Sequence, residues 1–550
     1  IRTEMKNPAK KRAKLDKNEG STKNCGFEYL RKKVTPLYND SYINQLDFKN
    51  NLVRRNLGLL SKSIWKSATS KGLIPPKWCK VEKKERMTNS FSLVDFEGLI
   101  QAFPIVSIKD EDKGTIPYSY RNKYEFTIGY TNNEILDADS DISVGFVAYI
   151  DRFEPITIGV LDNSNEVDNS NDIQDTKTLE IINPCIIPII KKTEKMVKMS
   201  SRESDFKVYS RRNRSGIWRL LLIRLSETNK EIMVTIQTTN VERIGVKNKI
   251  VDLLIEEFID KSFEMDLIGY KIKSLYLHQS DSIVDTFDIG KLDLLHGSPQ
   301  ISFKIRNTEL FIGPLSFFQT NTKGCETLYN EIRKVIEIKL LENLKKNENL
   351  KKKKLIILDI CCGVGAIGLT LLDIFRDLGR NFKDVELIGI DCSREAINSA
   401  KKNAENIGVE NAKYYTGTAE SILPGFLENL PSNNLVIAIV DPPRSGLHSS
   451  VVKSLRKMAK IEYLIYVSCN VESLVKNCIE LCSSYDPHTD QQEYFPVFFP
   501  ECAVPVDMFP FTKHVETILY LKRYVNNPNS SVVSKSKITD NISNNPLLAR

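Results

Sequence analysis

Two regimes of hydrophobic patterning divide the chain. From about 91 to 310, short runs alternate apolar with polar residues: Glu125–Tyr130, Ser143–Ile150, Ile217–Leu225, Glu231–Thr238 and Gln300–Ile305. Period-two alternation turns one face of a strand to a core and the other to water, so these runs predict an α+β module. A helix is expected over 326–345, ending in the charged stretch Glu342–Lys354. Beyond it Leu355–Ile360, Glu386–Ile390, Leu435–Val440 and Tyr463–Val467 are short, mostly apolar and separated by helical stretches. Strands covered on both faces read this way, which predicts an α/β domain with a doubly wound, mostly parallel sheet. The last run, Glu516–Tyr524, reads as a strand lying antiparallel at the edge of that sheet.

The flanks are simpler. Residues 1–33 are basic and polar and read as a disordered tail; 34–90 is helical and polar, with Leu46, Leu52, Leu57, Leu60 and Ile64 roughly periodic. The Asn/Asp/Ser-rich stretch 162–175 reads as a surface insertion in the 91–310 module. The doubly wound domain is expected over 311–525, and the Asn- and Ser-rich 526–550 as a second disordered tail.

Composition changes this picture only locally. The 550 residues are 41% hydrophobic, enough for two or three cores, and no apolar run approaches the roughly 18 residues of a membrane span. Of the net +8, +7 sits in residues 1–35, where eleven Lys/Arg face four Asp/Glu. The remainder is nearly neutral, so charge alone argues weakly for nucleic acid. Within the tail, Pro8-Ala9-Lys10-Lys11-Arg12-Ala13-Lys14-Leu15-Asp16 resembles a nuclear localisation signal, so nuclear and/or cytoplasmic residence is expected. The start has no signal-peptide core, and Ile1 in place of Met fits a missing leading segment. Eleven scattered cysteines include no C-x-x-C pair and no accompanying His cluster. Reduced thiols, with neither zinc nor iron–sulfur ligation, are expected.

One cysteine stands apart. Cys469 lies in Tyr466-Val467-Ser468-Cys469-Asn470, between an apolar strand and the helical stretch Val471–Cys482. The positive end of a helix dipole there is expected to lower the thiol pKa and make a nucleophile. A buried core thiol is the competing role, and local geometry alone would equally suit a phosphatase, protease or redox cysteine. Upstream, Asp359-Ile360-Cys361-Cys362-Gly363-Val364-Gly365-Ala366-Ile367-Gly368 follows a core strand and opens a helix. Glycines at such a turn admit a ligand close to the backbone. Asp391, ending the next strand, can accept both hydroxyls of a ribose; this pair does not separate a dinucleotide from S-adenosylmethionine. Asp441-Pro442-Pro443-Arg444 ends a third core strand, where doubly wound folds place chemistry. In many S-adenosylmethionine enzymes an acidic or amide residue with Pro-Pro and an aromatic holds an amine. Arg444 stands in place of that aromatic, which argues against amine methylation. Helix N-capping is the competing role for Asp441.

The arrangement resembles the RNA (uracil-5-)-methyltransferase family, most closely its eukaryotic tRNA branch. The resemblance rests on Phe317-Phe318-Gln319-Thr320-Asn321-Thr322, on Asp441–His448 and Tyr466–Asn470, and on Asp507-Met508-Phe509-Pro510 leading into His514-Val515-Glu516. Val34–Leu37 and Tyr120–Phe126 add to it. It implies a Rossmann-like class I methyltransferase domain behind an RNA-binding module, with S-adenosyl-L-methionine as cofactor. Gln319, Asp391 and Asp441 would contact the cofactor, Cys469 would attack uracil C6, and Glu516 would be the base. Cys361 stands where several bacterial members carry an aromatic residue, leaving an adenosine contact there open. His448 and His514 read as structural or orienting residues. No cysteine occupies the Pro-Cys position of cytosine-5 methyltransferases, which favours uracil.

The implied partner is tRNA, at its T arm, with neither membrane nor metal. Tyr118, Tyr120, Arg121, Lys123 and Tyr124 interleave aromatic and basic groups as an RNA platform would, and Lys207–Arg219 is a second basic segment. Cys25, Cys79 and Cys185 are too few and too spread for the iron–sulfur site of some bacterial relatives, which favours tRNA over rRNA. The same chemistry on rRNA or another structured RNA, and a tRNA chaperone with secondary methylation, are the alternatives.

Overall fold

A computed structural model describes residues 26–79, 101–102, 105–107, 118–131, 141–151, 154–160, 178–260, 263, 267–287, 290–346, 354–377, 385–428, 434–484 and 496–524. The localisation-like segment, the insertion near 162–175 and the 526–550 tail lie outside the described residues. Seventeen strands appear among them: β1 (Gln101–Ala102), β2 (Lys123–Tyr130), β3 (Ile142–Asp151), β4 (Glu154–Gly159), β5 (Trp218–Ser226), β6 (Glu231–Thr238), β7 (Lys271–Gln279), β8 (Lys291–Gly297), β9 (Ile301–Ile305), β10 (Thr308–Ile312), β11 (Lys354–Ile360), β12 (Val385–Asp391), β13 (Ala412–Thr416), β14 (Asn434–Val440), β15 (Ile461–Ser468), β16 (Phe498–Val506) and β17 (Glu516–Arg523).

The C-terminal sheet runs β1-β16-β17-β15-β14-β11-β12-β13. From β13 to β15 it is parallel, and helices Ala366–Asp377, Arg394–Asn406, Ala419–Glu428 and Ser449–Lys457 make the crossovers. This is the doubly wound sheet that the apolar strands predict. The expectation for the last strand is corrected: β17 is antiparallel but internal, bonded to β15 on one side and β16 on the other. Strand β16, with Pro500 and Pro505 in it, did not stand out as a strand run, so its coverage of β17 was not legible.

The N-terminal sheet runs β3-β4-β2-β5-β6-β7-β8 and is mainly antiparallel, with β4–β2 and β6–β7 parallel. Its core is separate, built around Trp218, Phe126, Leu221 and Phe258. The tail expected over 1–33 is shortened by a helix at Phe27–Val34, whose Phe27 and Leu30 are buried in that core.

Helix Tyr42–Ser70 belongs with the C-terminal sheet. Ser41 caps it by accepting from Asn44 N at 3.3 Å. Val53, Leu57, Leu60, Ile64 and Ala68 recur on one face, and the helix packs against helix Val471–Leu481 and strand β16 in the core on that side of the sheet. Burying each of the larger aliphatics contributes roughly 1.5–3 kcal/mol. Two interior charges fix its docking: Lys49 Nζ lies 2.5 Å from Asp507 Oδ1 and donates to Phe509 O at 2.8 Å, with both side chains fully buried.

Candidate active site

Strands β11, β12, β14 and β15 are parallel, so their carboxyl ends meet at one edge of the sheet, and the antiparallel β17 begins there. Ser468 of β15 pairs with Thr517 of β17. Cys469, the residue after β15, therefore comes out beside Glu516, the first residue of β17. Strand β14 ends beside them, and Asp441 follows it. Topology thus gathers residues 75 positions apart.

Each is held by short-range bonds. Ser468 Oγ accepts from Asn470 N at 3.1 Å and donates to Asn470 O at 2.9 Å, which fixes the backbone on both sides of Cys469. Asn470 caps the following helix by accepting from Glu472 N at 3.1 Å, and its amide donates to Arg444 O at 3.0 Å. The nucleophile turn and the Asp441–Arg444 loop are thereby joined. Asn477 makes a second junction: Oδ1 accepts from Leu447 N and Tyr466 OH, both at 2.8 Å, and Nδ2 donates to Leu447 O at 2.9 Å. Gly446, with φ +81°, leaves the room for it, since a Cβ there would sit 2.5 Å from Asn477 Oδ1. Helix N-capping, the competing role for Asp441, falls to His448, whose ring nitrogen accepts from Ser450 N at 3.4 Å. His514 is exposed, its ring edge-on to Phe509 at 6.3 Å.

Electrostatics overturn one expectation. Helix Val471–Leu481 starts two residues after Cys469, and its first turn is already capped. Burial, then the neighbouring Glu516 and Asp441 carboxylates, push the Cys469 thiol up to about 11, with Arg444 pulling the other way. Glu516 is 2% exposed and its Oε2 has no partner. Burial, reinforced by Asp441, holds its carboxyl well above the usual range. Asp441 is pushed up to about 7 by burial, against a 3.4 Å hydrogen bond donated by Gln319 Nε2. The buried Glu516 carboxyl, the half-buried Asp441 carboxyl and the Cys469 thiol, all of which resist ionisation, thus share one small region.

Gln319 arrives from outside the sheet. Asn122, just ahead of β2, donates through Nδ2 to Gln319 O at 3.1 Å and to Thr322 Oγ1 at 2.8 Å, and its own N–H donates to Thr320 O. Asn321 donates to Met508 O at 2.9 Å and accepts from Gly324 N. The buried Arg224 of β5 donates to Pro314 O and Ser316 O, holding the chain just before Phe317.

Asp391 stands apart at the end of β12. Its carboxylate accepts from Gly363 N at 3.0 Å and Ser393 N at 2.8 Å and stays partly exposed. The β11 turn beneath it is strained at Cys361, with φ +61°, while Gly363 adopts φ +54° facing open space. Gly365 and Gly368 are packing glycines: a Cβ would meet Tyr414 Oη at 2.9 Å or Leu387 Cδ1 at 2.6 Å. Asp359 accepts from Gly368 N at 3.0 Å and is pushed up to about 7 by burial. A ligand carrying vicinal hydroxyls could sit over this turn against Asp391. Its other end would reach Asp441 and Gln319 across the adjacent strand ends. Among the described residues no group of three or more His, Cys, Asp or Glu could hold a metal ion, and no helix is long and apolar enough to cross a membrane.

The structure therefore brings Cys469, Glu516, Asp441 and Gln319 together and puts Asp391 at the neighbouring turn. The proposed platform at 118–124 is corrected: Tyr118 is exposed, but Tyr120 and Tyr124 are buried, their hydroxyls bonded to Pro510 O and to Arg121 O and Ile181 O. Arg219 of the second basic segment is also buried. Asn470, Asn477, Asn122 and Lys49 were not singled out. Asn470 was readable as a cap with Glu472 behind it, and Asn477 as a polar residue on the Leu474/Cys478/Leu481 face. Nothing local marks Asn122 or Lys49, whose partners lie hundreds of residues away.

Comparison with known proteins agrees with this architecture. Residues 351–499 match the methyltransferase-domain family. A human tRNA (uracil-5-)-methyltransferase homolog B is 30% identical over 311 residues, 56% of each chain. A mouse tRNA (uracil-5-)-methyltransferase homolog A is 26% identical over 501 residues, 90% of this chain and 69% of that protein. The chain thus spans little more than half the length of the homolog B proteins it matches, 56% and 58% in two of them. The Pyrococcus abyssi tRNA (uracil-54, C5)-methyltransferase, solved with S-adenosyl-L-homocysteine, superposes with a TM-score of 0.51 at 19% identity, over 88% of this chain and 83% of that one. That likeness establishes a shared class I methyltransferase fold, and the curated relatives bear out the family resemblance read from the sequence.

Proposed function

We propose that this protein is an S-adenosylmethionine-dependent tRNA (uracil-5-)-methyltransferase that makes ribothymidine in the T loop. The observation that carries the reading is the emergence of Cys469 and Glu516 side by side at the end of the sheet, with Asp441 and Gln319 against them. The residues fit the cofactor. The partly exposed Asp391 carboxylate can accept from ribose hydroxyls over the open Gly363 turn, and Asp441 with Gln319 offers polar partners across the strand ends. When bound, it supplies a methyl group on a sulfonium sulfur, electrophilic toward a carbon nucleophile.

The chain's residues make that carbon nucleophilic. The target base must first be swung out of its stack. Cys469 Sγ, after giving its proton to solvent, bonds to uracil C6, and the C5–C6 π pair passes to C5 and O4 as an enolate. After methylation C5 carries both a methyl group and a proton. Glu516 takes that proton, the C5–H pair re-forms the double bond, and Cys469 departs as thiolate. A carboxyl held well above its usual range binds a proton avidly once ionised, which suits removal of a proton from carbon. Arg444, beside Cys469, favours its thiolate.

Incubation with labelled cofactor and total RNA, followed by mapping of the label, tests the substrate. Label at C5 of the T-loop uridine is expected. Label at a uridine of rRNA or another RNA would redirect the reading, and no label on uracil would end it. Cys469→Ala should abolish transfer, a loss beyond ~10³-fold as for other removed nucleophiles, while RNA affinity stays near wild type. Retained turnover would remove the covalent mechanism, and tRNA refolding that survives the substitution would favour a chaperone role alongside it.

A further inference from the structure

The chain from Lys207 to Trp218 folds back as a tight hairpin at the far end of β5. Ser210 and Ser215 bridge, with Ser210 N donating to Ser215 O at 2.8 Å, and the four residues between them are Arg211, Arg212, Asn213 and Arg214. Arg212, Asn213 and Arg214 are exposed. The turn is built at some cost. Arg214 sits at φ +52°, where a non-glycine residue is disfavoured, and Gly216 at φ +92° lies where a Cβ would strike Val208 O at 2.3 Å. Asn213 N donates to Ser210 Oγ at 3.0 Å.

The loop after β7 is locked to this hairpin. Arg211 pairs with Asp285. The buried Arg219 donates to Ser280 O at 2.8 Å, to Ser282 O at 2.6 Å and to Asp285 Oδ1 at 3.2 Å, and stacks on Tyr209 at 4.5 Å. Those bonds leave Ile283 and Val284, 65% and 67% exposed, at the tip. Asp281 in the same loop is engaged by Asn240 at 2.9 and 2.6 Å, and Asp205 nearby in sequence by Arg243 at 3.7 Å.

Position gives the pair of loops its meaning. The opposite end of β5 faces the candidate active site: Leu225 N donates to Asn122 O, and Asn122 holds Gln319. Trp218 and Leu225 lie seven positions apart along β5, about 23 Å at ~3.3 Å per residue. Guanidinium forks match phosphate oxygens, and short aliphatic side chains suit the sugar edges of the wide, shallow minor groove of an A-form helix. We propose that the Arg212–Arg214 turn and the Ile283–Val284 tip form a second RNA-binding surface that grips a double-helical stem of the substrate remote from the target uridine. This deepens the functional reading above and rests on it.

The test compares wild type with Arg212→Ala combined with Arg214→Gly, which removes two charges and keeps a residue at ease with positive φ. Binding is measured across a salt series with full-length tRNA and with a minimal stem–loop bearing only the target uridine. Expected are a roughly tenfold or greater loss for full-length tRNA, a salt slope smaller by about 2, and unchanged stem–loop affinity. Methylation at saturating tRNA should stay at the wild-type rate, and Arg212→Lys with Arg214→Lys should restore most of the affinity. Unchanged full-length affinity and slope, or an equal loss with the stem–loop, would overturn the second surface while wild-type methylation keeps the first reading standing. A wild-type protein that labels no uracil overturns the reading on which this surface rests.

Discussion

The two sheets treat a run of promising residues in opposite ways. At the carboxyl edge of the parallel sheet, each sequence motif ends a strand, and all the strands end on the same side. Asp391 ends one such strand, Asp441 and Cys469 follow two others, and the antiparallel β17 begins with Glu516 at the same edge. At the antiparallel sheet, the motif Tyr118–Tyr124 instead runs along the chain into β2, which begins only at Lys123, and packing onto the core divides its residues between interior and surface. The aromatic and basic interleaving of Tyr118–Tyr124 accordingly dissolves: Tyr120 and Tyr124 go inside, while Tyr118 stays at the surface. Chemical residues far apart in sequence are gathered where strands end together, and residues adjacent in sequence are divided where the chain packs onto a core.

Glu516→Gln probes the parallel edge most severely. Turnover should fall by about 10²–10⁴-fold, the usual span for a lost general base, with a protein–RNA adduct surviving denaturing electrophoresis. If no adduct accumulates, Glu516 is not the base. The pH dependence has a definite sign. Cys469 and Glu516 act in their ionised forms, and both are pushed upward, so wild-type turnover should climb from pH 6 to 9. Stability runs the other way. A carboxyl whose folded pKa is raised contributes stability fully present below its unfolded value and lost as pH rises through the folded one. Glu516→Gln should therefore melt above wild type at pH 8, with the difference shrinking toward pH 4. A lower melting temperature at pH 8 would mean that Glu516 has a structural partner.

The next largest effect tests what holds the edge in place. Lys49→Met leaves Asp507 buried without its cation, which typically costs 3–5 kcal/mol. Asp507 begins the segment that leads to Glu516, and Met508 O accepts from Asn321, two residues from Gln319. Denaturant unfolding should show that loss, and Lys49→Met with Asp507→Leu should recover much of it. A single variant as stable as wild type would show that the pair does not anchor the helix.

How far the sequence could be read follows from the same contrast. The parallel sheet was legible because its apolar strands have no other explanation, and the candidate site because Asp441 and Cys469 end two of them. The neighbours of Cys469 in the fold were not. Its thiol is pushed up by burial, then by Glu516 and Asp441, none of which the YVSCN segment contains. The internal place of β17 depended on β16, whose prolines hide its strand character. Asn122 and Lys49 act through partners 197 and 458 residues away, and no local pattern records such pairings.

The smallest effect bears most directly on the antiparallel half. Tyr124 OH donates to Arg121 O at 2.5 Å and accepts from Asn183 N at 2.9 Å within a fully buried setting. Tyr124→Phe should thus cost about 1–3 kcal/mol of stability, the penalty for stranding buried polar partners, and leave RNA affinity unchanged. Were Tyr124 a base-stacking residue, the phenyl ring would stack as well as the phenol, so that variant alone could not separate the roles. Tyr124→Leu does: a core residue loses stability with RNA affinity intact at a temperature where the variant stays folded, whereas a stacking residue loses affinity there. The second outcome would restore the platform at 118–124 and erase the contrast between the two sheets.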